Sequence, residues 1–167
     1  MPEKKVMRKE LAQYYGIGST PTYNLMNTGF VKLSEENSPQ MDNVAYVGNA
    51  NGSPTIVGYE GKWAYEAQYI AGNAVCDDLA EIARTQKTGS DCERVLVDVD
   101  LNKEDNTAAG SYYARKMVIA VEATGPNGDP KQVTKLTGNF HQIGDIVEGL
   151  FALTGKTFTA GTYTPKA

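Results

Sequence analysis

The chain contains a single histidine, His141, so any Ser-His-Asp or Cys-His catalytic machinery would depend on it. A histidine that acts as a general base needs a second side chain to orient its ring. His141 follows Phe140 in a segment that alternates like a strand, and no carboxylate lies within two residues of it. We therefore predict a half-exposed strand residue without a catalytic role.

Two glycine motifs resemble fragments of nucleotide-binding loops. Gly155-Lys156-Thr157 ends like a phosphate-binding loop, but five residues separate it from Gly149 where that motif has four, and no helix is predicted after it. We interpret it as a hairpin turn. Gly16-Ile17-Gly18 is likewise interpreted as a turn, so no cofactor is expected.

Metal ligands and thiols are few. Cys76 and Cys92 are the only cysteines and do not form a CxxC pair, and one histidine adds too little for a zinc site. We expect no metal and two reduced thiols, as in a protein made in a cytosol; a disulfide between them is the alternative.

Acidic and aromatic residues leave two further candidates. Asp98 and Asp100 share one face of a predicted strand, about 7 Å apart, which is a spacing that paired-carboxylate glycoside chemistry can use. No Trp or Tyr that could stack on a sugar ring lies beside them in the sequence. We therefore interpret them as charges on the solvent-exposed face of a strand. The stripe of Trp63, Tyr65 and Tyr69 is more typical of a core or subunit interface than of a sugar platform. We expect the chain not to be an enzyme.

The elements that would position these residues are mostly strands. Strands are predicted at 22–26, 31–34, 44–47, 63–70, 94–101, 113–121, 134–140, 146–153 and 157–162. One helix is predicted over 74–87, with Asn73 as N-cap and Gly89 as its stop. Its core face consists of Val75, Leu79 and Ile82.

Because strands do not alternate with helices, a parallel α/β sheet is disfavoured. We predict a mainly β (α+β) fold, a β-sandwich or open barrel with one flanking helix. An N-terminal arm is expected over residues 1–20 and a single domain over 21–167. The glycine- and asparagine-rich stretch that ends the segment 35–54 predicts an extended hairpin or loop that reaches a neighbouring copy.

Length and charge exclude several classes of protein. The 167 residues suffice for one domain, and the net charge is −4. The first ten residues carry four basic and two acidic side chains, which leaves an acidic body that does not attract a phosphate backbone. The charged start does not look like a secretory signal, and no apolar run has the length of a membrane span.

Short motifs in a fixed order resemble the major tail tube proteins of tailed phages that infect Gram-positive bacteria. The motifs are Met7-Arg8-Lys9-Glu10-Leu11-Ala12, Tyr15-Gly16-Ile17-Gly18, Pro21-Thr22-Tyr23, Ile56-Val57-Gly58-Tyr59, Gln86-Lys87-Thr88-Gly89, Ala114-Arg115-Lys116, Thr137-Gly138-Asn139-Phe140, Gly144-Asp145 and Thr157-Phe158-Thr159. They cover nearly the whole chain, and their order carries the resemblance.

The resemblance implies a structural subunit of a virion tail, assembled in the host cytoplasm. Such proteins form rings, usually hexameric, that stack into a tube around a tape-measure protein, meet tail terminator and tail-tip proteins, and let DNA pass without specific binding or membrane insertion. It implies no catalytic residues. Inner-sheet strands of neighbouring copies join into one barrel, which would also protect open sheet edges.

The resemblance leads to hypotheses about two surfaces, a channel lining and a contact between stacked rings. A polar, acidic lumen would use Asp98, Asp100 and Glu122. Ring stacking would use the hairpin and an assembly arm, which comprises Lys4, Lys5, Val6, Arg8, Leu11, Tyr14 and Tyr15. The alternatives are an inner-tube or ring protein of a contractile injection or secretion system, and a carbohydrate-binding β-sandwich, motivated by ten tyrosines and one tryptophan.

Overall fold

The structure, a computed structural model, describes residues 3–166. Within that range it contains eight strands and one α-helix. In chain order they are β1 (Leu11–Ile17), β2 (Thr22–Leu25), β3 (Phe30–Val44), β4 (Ser53–Gln68), α1 (Ala74–Thr85), β5 (Glu93–Glu104), β6 (Ser111–Asn127), β7 (Lys135–Ala152) and β8 (Thr157–Ala160).

All eight strands belong to one antiparallel sheet. The strand order is β2-β1-β5-β6-β7-β4-β3, and β8 adds to β7. The predicted mainly β fold with one flanking helix is therefore confirmed, and the sheet is open. The predicted strands at 134–140 and 146–153 are one continuous strand, β7, with an irregularity opposite Lys116 and Val118.

The sheet is strongly curled. Arg115 on β6 and Glu35 on β3 lie three strands apart, a separation of about 14 Å between backbones in a flat sheet. The Arg115 guanidinium nevertheless donates to both Glu35 carboxylate oxygens, at 3.0 and 2.9 Å. The contact requires the two halves of the sheet to face each other, so the concave face encloses the core.

The enclosed core is aromatic and aliphatic. Tyr65 and Phe140 stack with ring centroids 4.5 Å apart, and Tyr15 approaches Phe140 from β1 at 5.8 Å. Helix α1 covers one opening of the curled sheet, mainly against β6. A second cluster on the convex face contains Tyr14 and Phe151.

Helix α1 forms as predicted at its start and along its buried face. The Asn73 side-chain oxygen accepts hydrogen bonds from the backbone amides of Val75 and Cys76, at 3.1 and 3.2 Å. The predicted face of Val75, Leu79 and Ile82 is buried. The helix ends at Thr85, two residues early, because Gln86 adopts a left-handed conformation with φ 52°.

The N-terminal arm is shorter than predicted. Residues 11–17 form β1, which pairs with β2 on one side and β5 on the other. Tyr14 and Tyr15 are 6% and 0% exposed, one on each face of the sheet. Only residues 3–10 of the described chain therefore lie outside the sheet at this end.

The predicted extended hairpin is present and longer than expected. Its arms are β3 and β4, of 15 and 16 residues, and they join through residues 45–52. The polar stretch 35–42, which lies in the segment predicted as an extended hairpin or loop, continues β3. Strand pairing therefore runs from the curled part of the sheet to the hairpin turn, with register shifts at residues 30–32 and 40–41 of β3.

We expect Asn73→Ala to lower the free energy of unfolding by about 1 kcal/mol, because two amides in the first turn of α1 lose their acceptor. Asn73→Ser retains an acceptor and should stay within about half of that loss. Urea denaturation measures both variants; equal stability of Asn73→Ala and the parent chain would contradict the capping role.

Candidate assembly surface

The distal part of the β3–β4 hairpin has one apolar face. Strand alternation carries the core-facing side of β3 from Leu33 outward to Pro39 and Met41. Their cross-strand partners on β4 are Tyr59 and Ile56. Beyond the barrel this strip has no core beneath it: Met41, Ile56 and Tyr59 are 62%, 52% and 64% exposed.

The opposite face of the hairpin is polar and acidic. It presents Ser38, Gln40 and Asp42 on β3 opposite Glu60 on β4 and its neighbours. Residues 36–61 contain three acidic side chains and no lysine or arginine. The hairpin is therefore a two-faced ribbon with a negative charge.

The hairpin concentrates the exposed apolar surface of the described chain. Seven of its large apolar side chains are exposed: Met41, Val44, Tyr46, Val47, Ile56, Val57 and Tyr59. A smaller apolar group surrounds the β7 irregularity and comprises Val118, Ile143, Ile146 and Val147. Contiguous exposed apolar surface of this kind marks interaction sites.

Four strands form a half-sheet with two open edges. In this half-sheet residues 121–127 of β6 lie beside β7, β7 lies beside β4, and β4 lies beside β3. Pairing of β5 with β6 stops at Ala120, so among the described residues 121–127 pair with β7 alone. Strand β3 pairs only with β4. Both edges present unpaired backbone donors and acceptors.

The convex face of this half-sheet is polar, and its charges are paired. Lys62 lies 3.0 Å from Glu36, and Lys135 lies 3.1 Å from Glu66. His141 contacts Glu122 at 2.6 Å across β6 and β7. The hydrogen bond from His141, with that from Asn139, lowers the pKa of Glu122. His141 is a half-exposed strand residue, as predicted, but its carboxylate partner comes from the neighbouring strand.

An ion network lies on the concave side of the curled sheet. Arg115 contacts Asp98 as well as Glu35, and Gln13 donates to Asp98 at 2.6 Å. Arg8 donates to Gln13 at 2.7 Å, so the network extends to the N-terminal segment. Burial raises the pKa of Glu35, but its hydrogen bonds and charge interaction with Arg115 outweigh burial and lower it.

The three lumen candidates do not share a surface. Asp98 points to the concave side, where its side chain is 12% exposed and bound to Arg115. Asp100 lies on the same side of β5 and accepts from Asn102. Glu122 lies on the convex face. The alternation of β6 gives the physical reason, because Arg115 and Val121 face the core and residue 122 must point away.

The predicted assembly arm is also divided. Lys5 and Val6 are exposed, and Lys4 pairs with Glu10 at 2.9 Å. Arg8 belongs to the ion network, Leu11 begins β1, and both tyrosines are buried. Lys4, Lys5, Val6 and Arg8 are exposed, and of these Arg8 is held by its hydrogen bond to Gln13.

The other residues considered for chemistry lie in turns or in the core. Gly155-Lys156-Thr157 forms the hairpin turn between β7 and β8, as predicted. Cys76 and Cys92 are both free thiols. Trp63 and Tyr65 are core residues, 4% and 3% exposed, so neither offers a face to a sugar. No helix in residues 3–166 is long and apolar enough to cross a membrane.

Comparison with known proteins adds a structural relative. No family model matches the sequence, and no curated protein matches it. The fold matches a chain in the cryo-EM structure of the anti-feeding prophage (AFP) baseplate, 6-fold symmetrised, with a TM-score of 0.52 at 9% identity. The match covers 89% of this chain and 97% of that chain. The two share a fold.

We expect Arg115→Met to lower the free energy of unfolding by about 2–3 kcal/mol at neutral pH, because two half-buried carboxylates lose their cation. The lowered pKa of Glu35 means that its stabilising contribution is present above its unfolded pKa and is lost as pH falls through the folded value. The difference between variant and parent should therefore shrink below about pH 4. Denaturation at both pH values measures it; a difference that grows in acid would contradict this network.

Proposed function

We propose that this chain is a structural subunit of a phage-tail-like tube that assembles from copies of itself. One observation carries the proposal: a four-stranded half-sheet with a polar outer face, open edges on both sides and a partly apolar hairpin beyond it. The fold shared with a prophage baseplate component supports it. The chain would then act through contacts between copies and without a catalytic step.

The two open edges explain lateral assembly. If residues 121–127 of one copy pair with β3 of the next, the unpaired backbone groups of both edges become satisfied. The two edges are different surfaces, so the contact is heterologous, and repeated heterologous contacts generate rings or helical filaments. A closed ring leaves no lateral edge exposed.

Six copies are the natural number to propose, because the AFP baseplate structure is 6-fold symmetrised. Six half-sheets of four strands each would close a barrel of 24 strands. At about 4.8 Å between strands, its backbone diameter would be at least roughly 37 Å. Such a ring encloses a channel.

The polar convex face is the best candidate for the channel lining. Lys62, Lys135 and His141 already have acidic partners on this face, so few free cations would remain to bind phosphate. DNA would pass without specific binding. A tape-measure protein inside the tube, and terminator and tip proteins at its ends, complete the proposed partners in a virion tail built in the host cytoplasm.

A second candidate of the same kind is the inner tube of a contractile injection or secretion system. The AFP baseplate match favours it specifically, because that structure is not taken from a siphophage tail tube. Both candidates need the same rings. A gene for a contractile sheath beside this one would favour the injection system.

We expect the double variant Met41→Asp and Ile56→Asp to abolish rings and tubes while the monomer stays folded, because both charges fall on the apolar face of the hairpin. The matched variant Ser38→Asp and Gln40→Asp puts the same charge on the polar face and should still assemble. Negative-stain electron microscopy and circular dichroism provide the measurements. Normal tubes from the first variant would refute a role for the apolar face.

We expect a cysteine introduced at Asn139 to react with a small maleimide in both monomers and tubes. A large polyethylene-glycol maleimide should react with it only in monomers, because the tube wall would shield the convex face. Cys92→Ser removes the background thiol that is partly exposed. Equal labelling of tubes and monomers by the large reagent would place this face on the outside.

A further inference from the structure

Two backbone hydrogen bonds show which residues of β4 face each of its neighbours. Backbone groups along an antiparallel strand point alternately to the strands on either side. The Gln68 amide donates to the Gly29 carbonyl at 2.7 Å, and the Tyr69 amide donates to the Thr134 carbonyl at 2.8 Å. From residue 60 to residue 68 the even-numbered residues of β4 therefore face β3, and the odd-numbered ones face β7.

The open edge of β3 runs up to a proline. Residues 32, 34, 36 and 38 pair with those even-numbered residues of β4, so the backbone groups of the residues between them point to the open edge. These edge-facing residues are Leu33, Glu35, Asn37 and Pro39. The Leu33 carbonyl accepts a hydrogen bond from the Arg8 side chain at 3.4 Å, as a carbonyl on an open edge can. Proline has no N–H to donate, so the edge offers amide donors at 33, 35 and 37 and none at Pro39.

The open edge of β6 is short. Because the Thr134 carbonyl faces β4, residues 137, 139 and 141 of β7 face β6, and their partners there are residues 124, 122 and 120. Val121 and Ala123 therefore point away from β7. Pairing with β5 stops at Ala120, and the register with β7 shifts after Thr124. In the described chain the regular part of this edge thus consists of Val121 and Ala123.

Resting on the proposed ring, we infer that β3 of one copy pairs with β6 of the next in one register, with Asn37 opposite Ala123 and Pro39 opposite Val121. The strands of the half-sheet run antiparallel in turn, so β3 and β6 have opposite directions. Rotation about the tube axis preserves strand direction, so the contact is antiparallel. Only edge-facing residues exchange hydrogen bonds, so alternative registers differ by steps of two residues.

Barrel geometry favours this register. One row across the four strands of a copy consists of Val121, Phe140, Trp63 and Glu35. If Glu35 met Val121 of the next copy, the row would close on itself and the strands would run along the tube axis. With Pro39 opposite Val121, the row shifts by four residues, about 13 Å, over about 19 Å of sheet width. The strands then tilt by about 35°, close to the usual range of roughly 35–45°, whereas Asn37 opposite Val121 gives only about 19°.

Charge and strand ends disfavour the neighbouring registers. With Asn37 opposite Val121, Glu36 would lie opposite Glu122, and like charges directly opposite each other destabilise a sheet. A four-residue shift in the other sense would place Val121 opposite residue 31, where the register of β3 with β4 shifts, and Ala123 beyond the start of β3. In the inferred register Glu122 lies opposite Ser38 on the polar face.

The inferred ladder ends where another strand begins to pair. Glu93 of β5 pairs with Ala120, so a strand that lies beside Val121 must leave β6 at the next residue. In this register that residue is Gln40, directly after the proline that lacks a donor. The hairpin beyond Pro39 would then project from the ring wall, where its apolar face can meet another ring.

Disulfide crosslinking in assembled rings tests the register. Ser38 and Glu122 of the next copy would form a non-hydrogen-bonded pair with Cα atoms about 4.5 Å apart, a distance that a disulfide spans. Within one copy they lie three strands apart, about 14 Å, so they cannot link to each other. The two cysteines are introduced in a Cys92→Ser background and oxidised mildly.

The matched controls replace Ser38→Cys with Glu36→Cys or Ser34→Cys on the same face of β3. Glu122→Cys with Ser38→Cys should yield covalent oligomers at least about tenfold faster than either control, whose cysteines would lie roughly 7–8 Å or more apart. Equal rates for the three pairs, or a faster reaction from a control, would overturn the register.

Asn37→Pro separates this inference from the proposed function. The Asn37 amide faces the open edge, so the proline should leave the monomer folded while it removes a donor from the contact between copies. We expect the lowest protein concentration that yields rings to rise at least about tenfold, and Asn37→Ala to leave it within about twofold. Unchanged assembly of Asn37→Pro would refute edge pairing itself. Absence of rings from the parent chain would refute the proposed function and the inference with it, whereas rings that crosslink through a control pair would overturn the register alone.

Discussion

The fold depends on one contact between distant strands. Arg115 holds Glu35 and Asp98 together, and these residues lie on β6, β3 and β5. The sheet does not close on itself by backbone hydrogen bonds, so the Arg115 network and the packing of helix α1 against β6 hold it curled. Desolvating three charges opposes folding, and their mutual hydrogen bonds offset that cost only while all three stay together. The ion network therefore specifies how far the sheet curls.

A sheet held in this way retains free edges, and these edges are the basis of the proposed assembly. Most single-domain β proteins shorten, bend or charge their edge strands to prevent pairing between molecules. Here β3 is an edge strand of 15 residues, and its distal part carries exposed apolar side chains. Contacts between copies, as proposed, would satisfy both features. The same strand would then contribute to the curled sheet of its own copy and to the contact with the next.

Local signals in the sequence predicted the elements that depend on neighbouring residues. Helix α1 was predictable from Asn73 and the spacing of Val75, Leu79 and Ile82, and the hairpin from its turn residues. Strand β1 was not, because both of its faces are buried and alternation disappears. The position of Asp98 depends on Arg115, 17 residues away, and on Glu35, 80 residues from Arg115. Side-chain contacts of this kind depend on the order of the strands in the sheet. That order cannot be read from the alternation of apolar and polar residues along the chain.

The continuity of β3 and β4 has a mechanical consequence. The two strands pair at 14 positions, from the barrel wall to the hairpin turn. In a tube built as proposed, a pull along its axis would load that ladder lengthwise, so its hydrogen bonds would share the force side by side. A ladder peeled from one end would instead break bond by bond. In such a tube the hairpin of each copy would act as a tether that resists stretching.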